Sequence, residues 1–230
     1  MTAARRRRIM TAAAIGVSGA GLLRAGMSAG AGSRQFYIRT TALAGLWAAG
    51  ALGSGPVLPD RPSGQVSTRL CSVVRPVLAG VGAFGVSYGA ARLARRVPAL
   101  NRAIGSVLGY AEHGSVPLVM VIASANAVAE ELYFRGALWS LAEESHPFLT
   151  TTVAYAATTA ATRNPALVLA GIATSALFGL QRRTCGSVVA PALSHVTWSL
   201  LMLHYLPPLF RTPPASSDPA PGTGPNREAG

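Results

Sequence analysis

The sequence predicts an all-α, polytopic bundle of about seven transmembrane helices, and three observations carry that expectation. Half of the 230 residues are hydrophobic, only 12% are charged, and mean hydropathy is +0.37; a soluble domain carries roughly 25% charged residues. Apolar runs approaching the ~20 residues needed to cross a bilayer recur along the chain. Their content is largely Ala, Gly, Leu and Val. Such small side chains let helix backbones approach closely in lipid, where packing replaces water exclusion as the source of contact energy.

The apolar runs fall near residues 9–24, 38–56, 72–92, 115–141, 147–162, 165–181 and 187–207. The first is short and Gly-rich and follows Arg5 to Arg8, so it also reads as a signal-peptide core, with "SAGAGS" supplying small residues for cleavage. Retention as a signal anchor is the expectation, because the next apolar run follows at once. Residues 57–70 form a polar loop rich in Pro, Gly and Ser. Residues 93–114 form a second, with a short interfacial helix around "ALNRAIGSVLGYAEH". Residues 211–230 are too polar and Pro-rich to bury enough surface to order themselves, and are expected to be disordered. No internal repeat is visible.

The net charge of +12 comes from arginine alone, since the chain has no lysine. The arginines cluster between apolar runs, in "ARRRRIM", "RLARRVPALNR" and "LQRRT", where they meet anionic headgroups. A nucleic-acid binder would show a basic stripe interleaved with aromatics. Membrane lipid is therefore the expected partner, nucleic acid is not, and the expected place is the cell membrane with several passes. The arginines divide evenly between the two sides of a seven-span arrangement, so charge does not set the orientation. Cys71 and Cys185 lie far apart and indicate neither a disulfide framework nor a zinc site.

Against this background "NAVAEELYFRGALW", residues 126–139, stands out: two acids and an arginine inside an apolar helix. A charge at the bilayer centre costs about 2.5 to 3.5 kcal/mol even on the mildest scale. At ~100° per residue, Glu131 and Arg135 lie about 40° apart and can pair along one face. Glu130 lies about 140° from Arg135, so it points elsewhere, on the face of Asn126. An ion pair accounts for Glu131 with Arg135 and leaves Glu130 unexplained. A carboxylate in a partly wet, low-dielectric cavity suits a general base that activates water. A second polar outpost occurs in "APALSHVTWSLLMLHYLPP", where His195 and Ser199 share a helix face. His195 reads either as a hydrogen-bond fixture or as a donor or ligand aimed at the Glu130 cavity. His204 lies about half a turn round and ~13 Å further along the axis, too far to join that site.

The pairing of "EELYFRG" with "GSVVAPALSHVTWS" some sixty residues later resembles the CPBP family of intramembrane proteases, which includes the type II CAAX prenyl endopeptidases. Glu130, Glu131 and Arg135 match the family's E-E-x-x-x-R motif. His195 and Ser199 match its histidine motif, led in by Arg183, Gly186, Ser187, Ala190 and Pro191. The resemblance spans roughly residues 115–207. It implies an organisation into N-terminal membrane spans (1–110), a CPBP-like catalytic helix bundle (111–210) and a tail (211–230). It further implies an endopeptidase acting on a peptide or protein at the membrane, with Glu130 activating water and His195 as oxyanion donor or metal ligand. Ser199 stands where asparagine is common. Members are often called metalloproteases, so the resemblance also implies a divalent metal such as zinc.

The sequence departs from the family in its middle motif, F-x-x-x-H. No histidine lies between His146 and His195, and the matching stretch, 153–165, offers Thr158, Thr159, Thr162, Arg163 and Asn164 as its polar groups. Zinc then lacks its usual three protein ligands, and a metal-free glutamate mechanism is the preferred expectation. Two other readings stay open: a non-catalytic scaffold or immunity-type relative, and a proton-coupled transporter in which Glu130 and His195 are protonated in turn.

Overall fold

The structure, a computed structural model, describes residues 2–54 and 73–210. Among the described residues nine helices run in order: α1 Ala3–Met27, α2 Arg34–Ser54, α3 Arg75–Ala94, α4 Pro98–Glu112, α5 Val116–Leu141, α6 Pro147–Ala160, α7 Pro165–Cys185, α8 Val189–Tyr205 and the short α9 Pro207–Phe210. No strand occurs among the described residues. The loop expected at 57–70 and the tail from Arg211 lie outside them. The helix expected in the 93–114 loop is α4.

Each expected span is a helix, but among the described residues only α1, α3, α5 and α7 are long and apolar enough to cross a membrane. The expectation of about seven spans is not confirmed on that measure. With 14 residues, α6 rises only ~21 Å, and the 17-residue α8 only ~26 Å, against a hydrocarbon core of ~30 Å. In α2 the length suffices, but Arg39, Thr40, Thr41 and its glycines lower the hydropathy.

Local chemistry sets the helix ends. Proline opens α4, α6, α7 and α9, where its missing N–H costs nothing. The side chain of Asn164 caps α7 by accepting from Ala166 N at 3.0 Å and Leu167 N at 3.1 Å. Gly186 closes α7 at φ +68°, a left-handed conformation that glycine adopts without strain.

The core sits where α1, α2 and α5 meet. Trp47 packs on Tyr133 and Phe134, and all three are almost fully buried. Tyr133 Oη donates to Ala12 O at 2.6 Å, so α1 is tied to α5 by both packing and a buried hydrogen bond. At the far end of the same helix, Arg24 Nη1 donates to Ala161 O. The first apolar run is thus an integral part of this packing.

Helix α8 is held against α3. Ser194 Oγ donates to Pro76 O at 2.6 Å and accepts from Gln181 Nε2 of α7 at 2.7 Å, while Trp198 Nε1 donates to Ser87 Oγ. Close approach here depends on Gly80: a Cβ there would lie 2.7 Å from Ser194 O and 2.8 Å from Thr197 Cβ. By contrast, Gly82 faces open space. Gly80→Ala is therefore expected to destabilise the folded bundle by about 1 to 3 kcal/mol through overpacking. Gly82→Ala should be neutral or stabilising by up to ~1 kcal/mol. Denaturant titration of both variants in mixed micelles checks the contrast, and equal effects would remove the tight-approach account.

Candidate active site

Helix α5 changes geometry where its charges begin. Val116–Glu131 is α-helical, Leu132–Leu138 is π-helical, and Trp139–Leu141 closes the helix. A π segment is wider than an α turn and is often found at functional sites. Here it lets five consecutive residues, Tyr133 to Ala137, be buried together. Tyr133 and Phe134 enter the aromatic core, and Arg135 turns inward between α6 and α7.

Two of the three charges that the sequence places in the apolar interior, Glu131 and Arg135, meet His195 in one network. Glu131 Oε1 accepts from Arg135 Nη1 at 3.1 Å and from His195 Nδ1 at 3.0 Å. Against a carboxylate already paired with a guanidinium, His195 Nδ1 must carry the proton, which leaves Nε2 as the nitrogen available for chemistry. The Glu131 and Arg135 side chains are wholly buried, whereas that of His195 retains 7% exposure. The network is sealed at its carboxylate and guanidinium and open at its imidazole. Phe178 stacks on the His195 ring at a centroid distance of 4.9 Å and limits its tilt.

Arg135 reaches further than its glutamate. Its Nη2 donates to Ser175 O at 2.9 Å and Ser175 Oγ at 2.6 Å. The rings of Tyr155, Phe178 and Phe134 lie 5.1, 5.7 and 6.0 Å from the guanidinium carbon. An aromatic cage of this kind helps to compensate a cation removed from water. Arg135 thereby clamps α5 to α6 and α7.

Glu130 stands apart from this pairing. Its Oε2 accepts from Tyr155 Oη of α6 at 2.7 Å, and its side chain is half-buried. His195, Glu131 and Arg135 are near enough to act on its charge. No hydrogen bond joins Glu130 to His195 among the described residues; the imidazole goes to Glu131. Asn126, expected on the face of Glu130, instead donates to Thr40 O and Ile122 O and ties α5 to α2. Ser199 is half-buried one turn beyond His195, and no hydrogen bond links it to either glutamate among the described residues.

Two contributors are absent from the sequence reading. Tyr155 lies inside the stretch 153–165, ahead of its threonines. The signal that could have found it is its place four residues before Thr159, the spacing of F to H in the middle motif. Ser175, the second partner of Arg135, had no signal beyond being a small polar residue in an apolar run.

The turn that aims α8 is built by the residues leading into the histidine. Arg182 is buried and its Nη1 donates to Gly186 O, whereas Arg183, the arginine matched to the family's lead-in, is exposed. Ser187 Oγ accepts from Val189 N at 3.0 Å, and Ala190 and Pro191 are buried at the start of the helix.

Metal binding can be tested on the donor set. Among the described residues no group of three or more His, Cys, Asp and Glu side chains is placed to hold an ion. The residues present therefore do not supply the three protein ligands that a zinc site ordinarily has.

No curated protein and no solved structure matches the chain. Residues 112–201, which contain all five candidate residues, match a family model described as Rce1-like, type II CAAX prenyl endopeptidase.

Proposed function

We propose, on the match of residues 112–201 to the Rce1-like family model, that the chain is a CPBP-type intramembrane endopeptidase in which Glu130 activates the attacking water. At family level this is a CAAX-protease-like peptidase acting on a peptide or protein at the membrane. The observation that carries the finer reading is the division of labour between adjacent acids. Glu131 is wholly buried and its Oε1 takes both Arg135 and His195, whereas Glu130 is half-buried, with Oε2 held by Tyr155 and Oε1 without a hydrogen bond among the described residues.

In this reading Glu130 Oε1 takes a proton from water as the oxygen of that water bonds to the scissile carbonyl carbon. The carbonyl electron pair moves onto oxygen. Collapse of the tetrahedral intermediate breaks the C–N bond, and the proton on Glu130 passes to the departing amine. His195 meets the oxyanion from Nε2. Because Nδ1–H already points at Glu131, donation from Nε2 requires the imidazolium, and the Glu131 carboxylate stabilises that cation. A donor of this kind is typically worth about 10² to 10³ in rate. Ser199 offers a hydroxyl on the same face.

The test is cleavage of a peptide library by the purified protein in proteoliposomes, read by mass spectrometry. Cleavage is expected, and it should survive exhaustive chelation with little change in kcat. Stoichiometric zinc in the purified protein, together with loss of activity on chelation and its return on adding zinc, would overturn the metal-free reading. A second reading, a non-catalytic scaffold or immunity-type relative, is favoured by one observation: Tyr155 and Thr159 stand at the F and H positions of the middle motif, so α6 brings a phenol and no imidazole to Glu130. A wild-type protein that cleaves nothing across the library would select it.

A further inference from the structure

Groups on two other helices lie near Glu130, and only one of them bonds to it. His195 of α8 has its Nδ1 on Glu131, and the terminal nitrogens of Arg135 are engaged by Glu131 and Ser175. Among the described residues, Tyr155 of α6 is the only group hydrogen-bonded to the Glu130 carboxylate. The phenol is itself fixed. Its ring meets Phe134 edge-on at 5.0 Å, and the Arg135 guanidinium lies 5.1 Å away. A carboxylate on a helix ordinarily rotates about its last bond and exchanges its two oxygens. Anchoring Oε2 across to another helix removes that freedom.

We propose that Tyr155 is a positioning residue: its hydroxyl holds Glu130 Oε2 so that Oε1 alone is presented to the reacting water. The proposal rests on the proteolytic reading above, in which Glu130 is the base. It assigns to α6 a part in the site that a phenol performs without shuttling a proton. Misplacement of a base by a fraction of an ångström lowers kcat while leaving substrate binding alone.

The experiment compares wild type with Tyr155→Phe, Glu130→Gln and the double variant in proteoliposomes. Tyr155→Phe keeps the ring against Phe134 and Arg135, and a melting curve in detergent checks that the fold is retained. Its kcat is expected to fall about 10- to 100-fold, with KM near that of wild type. Adding Tyr155→Phe to Glu130→Gln should cost nothing further, because the phenol acts through the carboxylate. A readout independent of activity is modification of residue 130 by dicyclohexylcarbodiimide, followed by peptide mapping. Freed from its anchor, Glu130 is expected to react severalfold faster in Tyr155→Phe than in wild type.

Faster labelling with lower kcat supports both the positioning role and the proteolytic reading. Faster labelling in a protein whose wild type cleaves nothing supports the anchor and sinks proteolysis. Equal labelling of Glu130 in the two proteins overturns the proposal whatever the activity, and so does a wild-type kcat in Tyr155→Phe.

Discussion

Glu130→Gln is expected to lower kcat for peptide cleavage by about 10² to 10⁴-fold, the usual contribution of a positioned general base. The substitution keeps the side chain's volume and an oxygen able to accept from Tyr155, so the bundle should fold as wild type does. A melting curve within ~0.5 kcal/mol of wild type would establish that loss of activity is chemical. Undiminished cleavage would remove Glu130 from the mechanism. If the same variant instead abolished a flux driven by a pH gradient, the transporter reading would take its place. The outcome turns on which of two neighbouring acids meets both the arginine and the imidazole: Glu131→Gln disturbs an ion pair and an imidazole, whereas Glu130→Gln leaves both in place.

Arg135→Met is expected to have the largest effect on stability. It leaves Glu131 wholly buried, with His195 as its remaining hydrogen-bond partner. Removing one member of a buried pair typically costs about 3 to 5 kcal/mol, because the other charge is stranded. Arg135 also loses its bonds to Ser175 and its contact with three aromatic rings. Denaturant titration in mixed micelles should show the loss. The double variant Glu131→Gln/Arg135→Met should recover part of it, since no uncompensated charge remains. Additive losses in the double variant would mean that the two residues are not coupled. A near-neutral Arg135→Met would mean that the guanidinium is not the keystone joining α5, α6 and α7.

Much of the helical framework was legible because its causes are local. The apolar run at 115–141 corresponds to α5 at Val116–Leu141, and the one at 165–181 to α7 at Pro165–Cys185. Proline at N1, the Asn164 cap and Gly186 mark ends by short-range chemistry that a sequence displays directly. The Glu131–Arg135 pair was equally accessible, since residues four apart are neighbours on any helix. Crossing length was less legible. An apolar run of about sixteen residues looks like a span in a hydropathy profile, but α6 keeps only 14 residues in helical form.

The site's wiring was not legible. His195 reads from sequence either as a hydrogen-bond fixture or as a donor aimed at the cavity of Glu130, and only the fold shows that its hydrogen bond goes to Glu131, 64 residues away. Angles measured at 100° per residue assume a regular α-helix, and the chain becomes π-helical directly after Glu131. Tyr155 escaped notice because a tyrosine in an apolar helix resembles core, and only the packing of α6 against α5 turns its hydroxyl toward a carboxylate.

The sequence by itself determined the helical class, the membrane setting, the two charged motifs and the ion pair within one helix, because each depends on composition or on neighbours a few residues apart. Only the tertiary structure decided which acid meets both the arginine and the imidazole, which is left half-buried, and which phenol bonds to it. Those outcomes depend on contacts between helices, whose register is set by close packing at Gly80 and around Trp47 and not by the hydropathy of any one segment.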